Sequence, residues 1–344
     1  LVKFARFDYT IKEKGLETFI PETSPLPLPA PSMFFWVLLV VTFWLHFLSV
    51  QMLLGGMIIT ITEIFSGKPR EQFMEGLKRL PVIMAFVINL GIPPLLFLQL
   101  LYAQFFYTSS VIMGIPWIST VFLLIICYGC LYLARYEKRE GRIPIWLCIS
   151  LIAGLTIAYF FTNNVTWMIH PDTWQAAYQS DPIGAHLYPG RGDVLFRWLW
   201  AIAPAVTVVA VWLRKARSWG WLSIGLGAVG GWLFQQSLLE QNTWINRLFI
   251  IDYALIGLLV GLLLAVRPAE LFYRLAGVWV LLKVTNMVIL RDMIRRHTLA
   301  DYFSLDTLVV QTDWSVVAAF LLVVITGVYV LIWMYRRGKE GLVL

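Results

Sequence analysis

One of the four histidines in this chain of 344 residues, His46, falls inside a long apolar stretch, FWVLLVVTFWLHFLSVQMLLGGMIITIT over 35–62. A polar side chain costs free energy to bury in hydrocarbon and is seldom placed there without a role. A neutral imidazole facing a helical bundle is also a common protein ligand of haem iron. Ser49, Leu53 and Gly56 share its face at helical spacing, and Gly55 with Gly56 leaves room for a macrocycle or a neighbouring helix. Two readings stand side by side: an axial iron ligand, or an imidazole hydrogen-bonded to another helix. Met287 and Met293 are the candidates within this chain for a second ligand, and a histidine from another subunit is the alternative.

Lys283 is the most exceptional charge, set in VWVLLKVTNMVIL (278–290) with Asn286 and Met287 on its face. An ammonium in mid-bilayer costs about 2.5–3.5 kcal/mol on insertion scales, so it calls for a partner. Asp252 is the natural one, as a structural ion pair; the alternative is a cation for haem propionates or a quinone headgroup. Asn89, Gln99 and Gln104 accompany Pro93-Pro94 in another apolar stretch. Each proline removes an N–H and frees a carbonyl, which either lines a quinone pocket or proton path or is satisfied at a kink by adjacent helices. Asp193 and Arg197 stand one helical turn apart as an i,i+4 pair. Glu63 is expected to face water, and His170, His186 and His297 to lie in surface loops.

The elements that must position these groups are membrane helices. Apolar residues make up 59% of the chain and charged ones 14%, with a mean hydropathy of +0.75. Nine stretches are long enough to cross a bilayer: about 33–63, 80–106, 115–135, 144–162, 194–213, 218–239, 247–266, 270–290 and 314–335. Backbone self-satisfaction in lipid makes them helices, so the expected fold is an all-α polytopic bundle. Lys and Arg concentrate in loops 64–79, 136–143, 214–217 and 267–269 and in the C-terminal tail, which places the N-terminus outside and the C-terminus in the cytoplasm. Loop 291–313, with Arg291, Arg295 and Arg296, runs against that trend. The net charge of +7 is thus an orientation signal, and nothing points to nucleic acid.

Residues 1–32, ending in PETSPLPLPAP, read as an extended arm outside the membrane, 33–335 as the bundle and 336–344 as a basic tail. Cys127, Cys130 and Cys148 all sit in predicted spans; C-Y-G-C is followed by Leu131, not the histidine of a c-type haem motif, and packing is the better reading. The long loops 163–193 and 291–313, rich in Trp, Tyr and Asp, suit interfacial helices or a docking surface. No inverted repeat marks the chain as a transporter.

HFLSVQMLLGGMIITITEIFSGK (46–68) resembles the first helix of subunit I of the cytochrome bd-type quinol oxidases, which carries a haem-ligating histidine. INLGIPPLLFLQLLYAQFFYTSSVIMGIPW (88–117) is similar to that family's second helix, and NNVTWMIHPDTW (163–174) to its outer segment before the fifth. The resemblance covers about the first 200 residues. Gln99 stands where the family has a glutamate of its oxygen-reducing haem pair, and Trp198 and Trp200 fall where it has a histidine. The resemblance therefore implies a relative of the oxidase subunit put to another use. It would be a subunit of a respiratory electron-transfer complex in a bacterial or archaeal cytoplasmic membrane, with haem b on His46 and a polar quinone pocket drawn from Gln99, Gln104, Lys283, Asn286 and Asp252. Its implied partners are other membrane redox subunits and an extracytoplasmic c-type cytochrome. A cofactor-free anchor of a redox complex is the competing expectation.

Overall fold

The computed structural model describes residues 20–21, 27–180, 183–238 and 242–339. Most of the N-terminal arm, Asp181 and tail residues 340–344 lie outside them. The described chain is helical: α1 (Ser32–Phe65), α2 (Arg70–Ile112), α3 (Gly114–Tyr136), α4 (Ile143–Met168), α5 (Trp174–Ser180), α6 (Arg191–Ile202), α7 (Ala205–Trp212), α8 (Trp219–Ser237), α9 (Thr243–Ala265), α10 (Ala269–Thr298) and α11 (Trp314–Lys339). Among the described residues no strand forms, and one isolated β-bridge joins Leu28 to Val310.

Each predicted stretch coincides with a helix, or with a helix pair at α6–α7, where Pro204 interrupts the run. Seven of these units are long and apolar enough to cross a membrane: α1, α2, α3, α4, the unit Gly192–Trp212, α9 and α10. α8 is a helix at the expected place, but its glycines and Gln235-Gln236 dilute its apolar character; in α11 the apolar run is confined to Trp314–Val330.

Exposed apolar side chains clothe the helices, as a lipid-facing surface requires, while small residues let the backbones close up. A methyl group on Gly55 would strike the Ala205 carbonyl oxygen, so α1 and α7 meet backbone to backbone. On α8, a Cβ at Gly230 would come within 2.9 Å of the Trp200 amide nitrogen, which fixes α8 against α6. Cys127 sits in this packing as a free thiol, 3.2 Å from the Ser150 hydroxyl, and Cys130 and Cys148 are also free.

The two ends of the bundle are held by different means. At the basic end, Arg217 donates to the Val266 and Arg267 carbonyls at 2.7 and 2.9 Å, satisfying the orphan acceptors that terminate α9. Glu63 is buried there rather than facing water, paired with Lys215 at 2.7 Å and Lys68 at 3.2 Å. A carboxylate closing a helix at this depth recruits ammonium groups from both flanking loops. At the loop-rich end, backbone bonds tie Leu28 to Val309 and Gln311, so the last residues of the arm are packed onto loop 299–313. Loop 183–190 is pinned by Ile115 N–H to Gly184 O at 2.8 Å and by Tyr188 N–H to Asn163 Oδ1 at 2.9 Å.

The close seat of α1 on α7 yields a direct test. Gly55→Ala is expected to destabilise the bundle by about 1–3 kcal/mol through overpacking, whereas Gly257→Ala, whose added methyl meets nothing within 4 Å, leaves stability unchanged or slightly raised. Unfolding in detergent measures both, and an unchanged midpoint for Gly55→Ala would show that the two backbones are not in contact.

Candidate functional site

Asp252 is the centre of a buried polar knot joining α6, α9 and α10. Its Oδ1 accepts from Lys283 Nζ at 2.7 Å and from Asn286 Nδ2 at 3.1 Å, and its Oδ2 accepts from Trp200 Nε1 at 3.1 Å. Asp252 and Lys283 are 0% and 2% exposed, so neither reaches water. Lys283 and Asn286 lie on one face of α10 because they are three residues apart, and Asn286 also donates to the Leu248 carbonyl one turn before Asp252. Gly231 makes room for the third donor: a Cβ there would lie 3.1 Å from Trp200 Cδ1. With both carboxylate oxygens occupied, the group is a closed ion pair with two supporting hydrogen bonds.

Gln99 and Gln104 do not join this knot. They project from α2 on either side of its break at Tyr102, Gln99 half-buried and Gln104 buried, and no hydrogen bond links either to Asp252, Lys283 or Asn286. Asn89 is exposed and turns back to donate to Ala85 O at 2.7 Å. α2 passes through Pro93-Pro94 with helical backbone; its kink falls at Tyr102, where φ is −136° and ψ 37°.

His46 is held against α2. Its Nδ1 lies 3.0 Å from the Val87 carbonyl oxygen, which can only accept, so the proton resides on Nδ1. The ring occupies the space a side chain at position 91 would fill, since a Cβ on Gly91 would be 3.0 Å from His46 Cε1. Nε2 makes no hydrogen bond among the described residues. A carbonyl on one ring nitrogen and a free lone pair on the other is how a metal-ligating histidine is oriented. Met287 is buried in the apolar cluster that fills the loop-rich half, together with Leu290 and Phe249, and Met293 packs at its margin.

Two groups behave otherwise than their sequence positions imply. Arg197 forms no ion pair with Asp193; it is 6% exposed and its guanidinium lies 5.4 Å from the centre of the Phe234 ring. Arg291, Arg295 and Arg296 are not loop charges at all, because α10 continues to Thr298. Each guanidinium there covers an aromatic ring, Phe43 at 4.0 Å, Tyr102 at 4.6 Å and Trp36 at 5.0 Å respectively. Asp292 accepts from Trp36 Nε1 at 2.7 Å and from Arg295. Cations absorbed into the fold in this way are not loop charges, so they do not enter a loop-charge comparison. Trp200, Tyr102 and Asp292 carry no sequence signal of their own; the three-residue spacing of Arg197 and Trp200, and that of Asp292 and Arg295, is the trace that could have pointed to them.

Beyond α4, His170 stacks on Tyr188 with ring centres 5.1 Å apart. Burial pushes its imidazole below the ordinary 6.5, with Arg197 adding to the effect and Asp172 opposing it. Burial, with help from Asp193 and Asp172, pushes the Tyr188 hydroxyl up to about 12. No family model matches the chain, and no curated protein matches it.

Removing one partner of the buried pair strands the other. Lys283→Met or Asp252→Leu alone is expected to cost about 3–5 kcal/mol, and the double substitution to recover most of that loss; a double-mutant cycle on detergent unfolding measures it, and strictly additive losses would refute a closed pair. A second expectation concerns acid. Because the folded chain holds His170 below its unfolded value, the stability it confers is present above about pH 6.5 and falls as pH drops. Hydrogen exchange across 163–190 should therefore accelerate on acidification, and His170→Phe should flatten the response; an identical response in the variant would exclude His170 as its source.

Proposed function

We propose that this chain is an integral membrane subunit of a respiratory-type electron-transfer complex, related to subunit I of the cytochrome bd-type quinol oxidases. In this reading nine helices cross a bacterial or archaeal cytoplasmic membrane, with the N-terminus and the loop-rich end outside and the C-terminus in the cytoplasm. The complex passes electrons between membrane quinol and an extracytoplasmic cytochrome of c type or another redox subunit. The observation that carries it is the mid-span imidazole of His46, oriented by the Val87 carbonyl with Nε2 unpartnered among the described residues.

The residues present fit a b-type haem in part. His46 would hold the iron, and a haem so bound supplies a one-electron centre inside the bundle. Gly91 admits the ring to its position, and Val87 fixes its tautomer. Met287 is the second ligand this chain can offer, though it is enclosed by apolar neighbours at 1% exposure. Gln99 and Gln104 remain the polar groups of α2 for a quinone, while Lys283, Asn286 and Asp252 act by holding α6, α9 and α10 together around it.

The second reading, a cofactor-free anchor for other redox subunits, is favoured by one observation. The Asp252 knot is closed, and a cleft of about 920 Å³ lies toward the basic end, lined by residues such as Met52, Phe86 and Trp212 and not by His46.

A reduced-minus-oxidised optical spectrum of the complex, purified from its native membrane, separates the readings. The redox reading expects a sharp b-type band in stoichiometric amount, abolished by His46→Ala with helicity and assembly retained. A complex without any such band leaves the anchor; a band that survives His46→Ala overturns the ligand assignment.

A further inference from the structure

The loop-rich half of the bundle contains more buried positive charge than it can neutralise. Arg197 on α6 and Arg291 and Arg295 on α10 lie within electrostatic range of one another. Asp292, engaged by Arg295 and Trp36, is the carboxylate paired within this group. Arg295 is 1% exposed and Arg197 6%. Arg295 Nε and Nη1 and Arg197 Nη2 are fully shielded and have no hydrogen-bond acceptor among the described residues. Beside them lies Tyr102, its ring under the Arg295 guanidinium and its hydroxyl buried.

Aromatic rings under the guanidinium planes offset part of the desolvation penalty but offer nothing to the N–H groups at the edges. A buried ion left without its counter-charge costs several kcal/mol, and leaving several donors unpaired in one place adds to that. The imbalance is one of charge: guanidinium groups only donate, and the Tyr102 hydroxyl beside Arg295 accepts without carrying a negative charge, so what is missing is an anionic acceptor. Guanidinium forks match planar or tetrahedral oxyanions by paired N–H···O bonds.

We propose that Arg197, Arg291 and Arg295, with Tyr102, form a binding site for an oxyanion, a carboxylate or a phosphate group, between α2, α6 and α10. The site is distinct from the Asp252 knot, whose charges cancel, and it does not require that His46 hold iron. The oxyanion is either a free inorganic anion or the acidic head of a bound amphiphile whose apolar part lies among the helices.

Thermal unfolding of the full chain tests this in uncharged detergent titrated with inorganic phosphate at constant ionic strength, and in bilayer discs of phosphatidylcholine with and without phosphatidylglycerol. Native mass spectrometry of the same preparations reads any retained acidic molecule. Stabilisation by phosphate identifies a free anion; stabilisation by phosphatidylglycerol alone, or a retained acidic amphiphile, identifies a headgroup. Arg197→Met removes a cation that has no ion-pair partner among the described residues, so the fold should survive, while affinity or retention falls at least about tenfold. Arg197→Lys, which keeps the charge and loses the fork, should fall between the two. The proposal is overturned if the wild-type chain is stabilised by neither probe and retains no acidic molecule, or if Arg197→Met binds as the wild type does.

Discussion

Inside a bilayer there is no water to finish a hydrogen bond, so each polar group carried into the apolar interior has to be answered by another part of the chain. Asp252 shows what that demands. Its two oxygens are met by Lys283 and Asn286 from α10 and by Trp200 from α6. Those contacts exist only if three helices hold one rotation and one depth relative to each other. Gly230 and Gly231 on α8 then become necessary, because a larger residue would push Trp200 out of reach. One carboxylate thus sets the arrangement of four helices, and its value lies in specifying that arrangement more than in net stability.

The same constraint makes the remaining polar groups informative. His46 has one nitrogen answered by Val87 and one left over. Arg197 and Arg295 have buried N–H groups that nothing among the described residues answers. Where the fold satisfies a charge as thoroughly as it does Lys283 or Glu63, the group is architectural; where it leaves good donors or a lone pair unmet, the chain is built to receive something else. On that basis both proposals of function rest on the half of the bundle around α2, α6 and the end of α10.

Much of this architecture was legible in the residues themselves. Long apolar runs located every described membrane helix, because the hydrocarbon thickness fixes their length and lipid removes the alternatives to helix. The Lys283–Asp252 partnership was legible too, since an ammonium in mid-span needs an anion and few are at hand. Arg291, Arg295 and Arg296 were misread as loop charges because composition registers charge and not burial. Their aromatic neighbours on α1 and α2, more than 180 residues away in the chain, enclose them there. Arg197 was misread for a related reason: Asp193 lies at helical spacing, but spacing says nothing about which way a side chain turns.

Periodicity and hydropathy along the chain decided that this is a helical membrane protein, where its helices run and which few residues are too polar to be there by default. They could do so because the bilayer acts on each segment separately. Which of those residues meet, which are left unpaired and where α2 bends were decided by helix rotation and close approach. These depend on small residues and distant partners acting together, and no single segment contains that information.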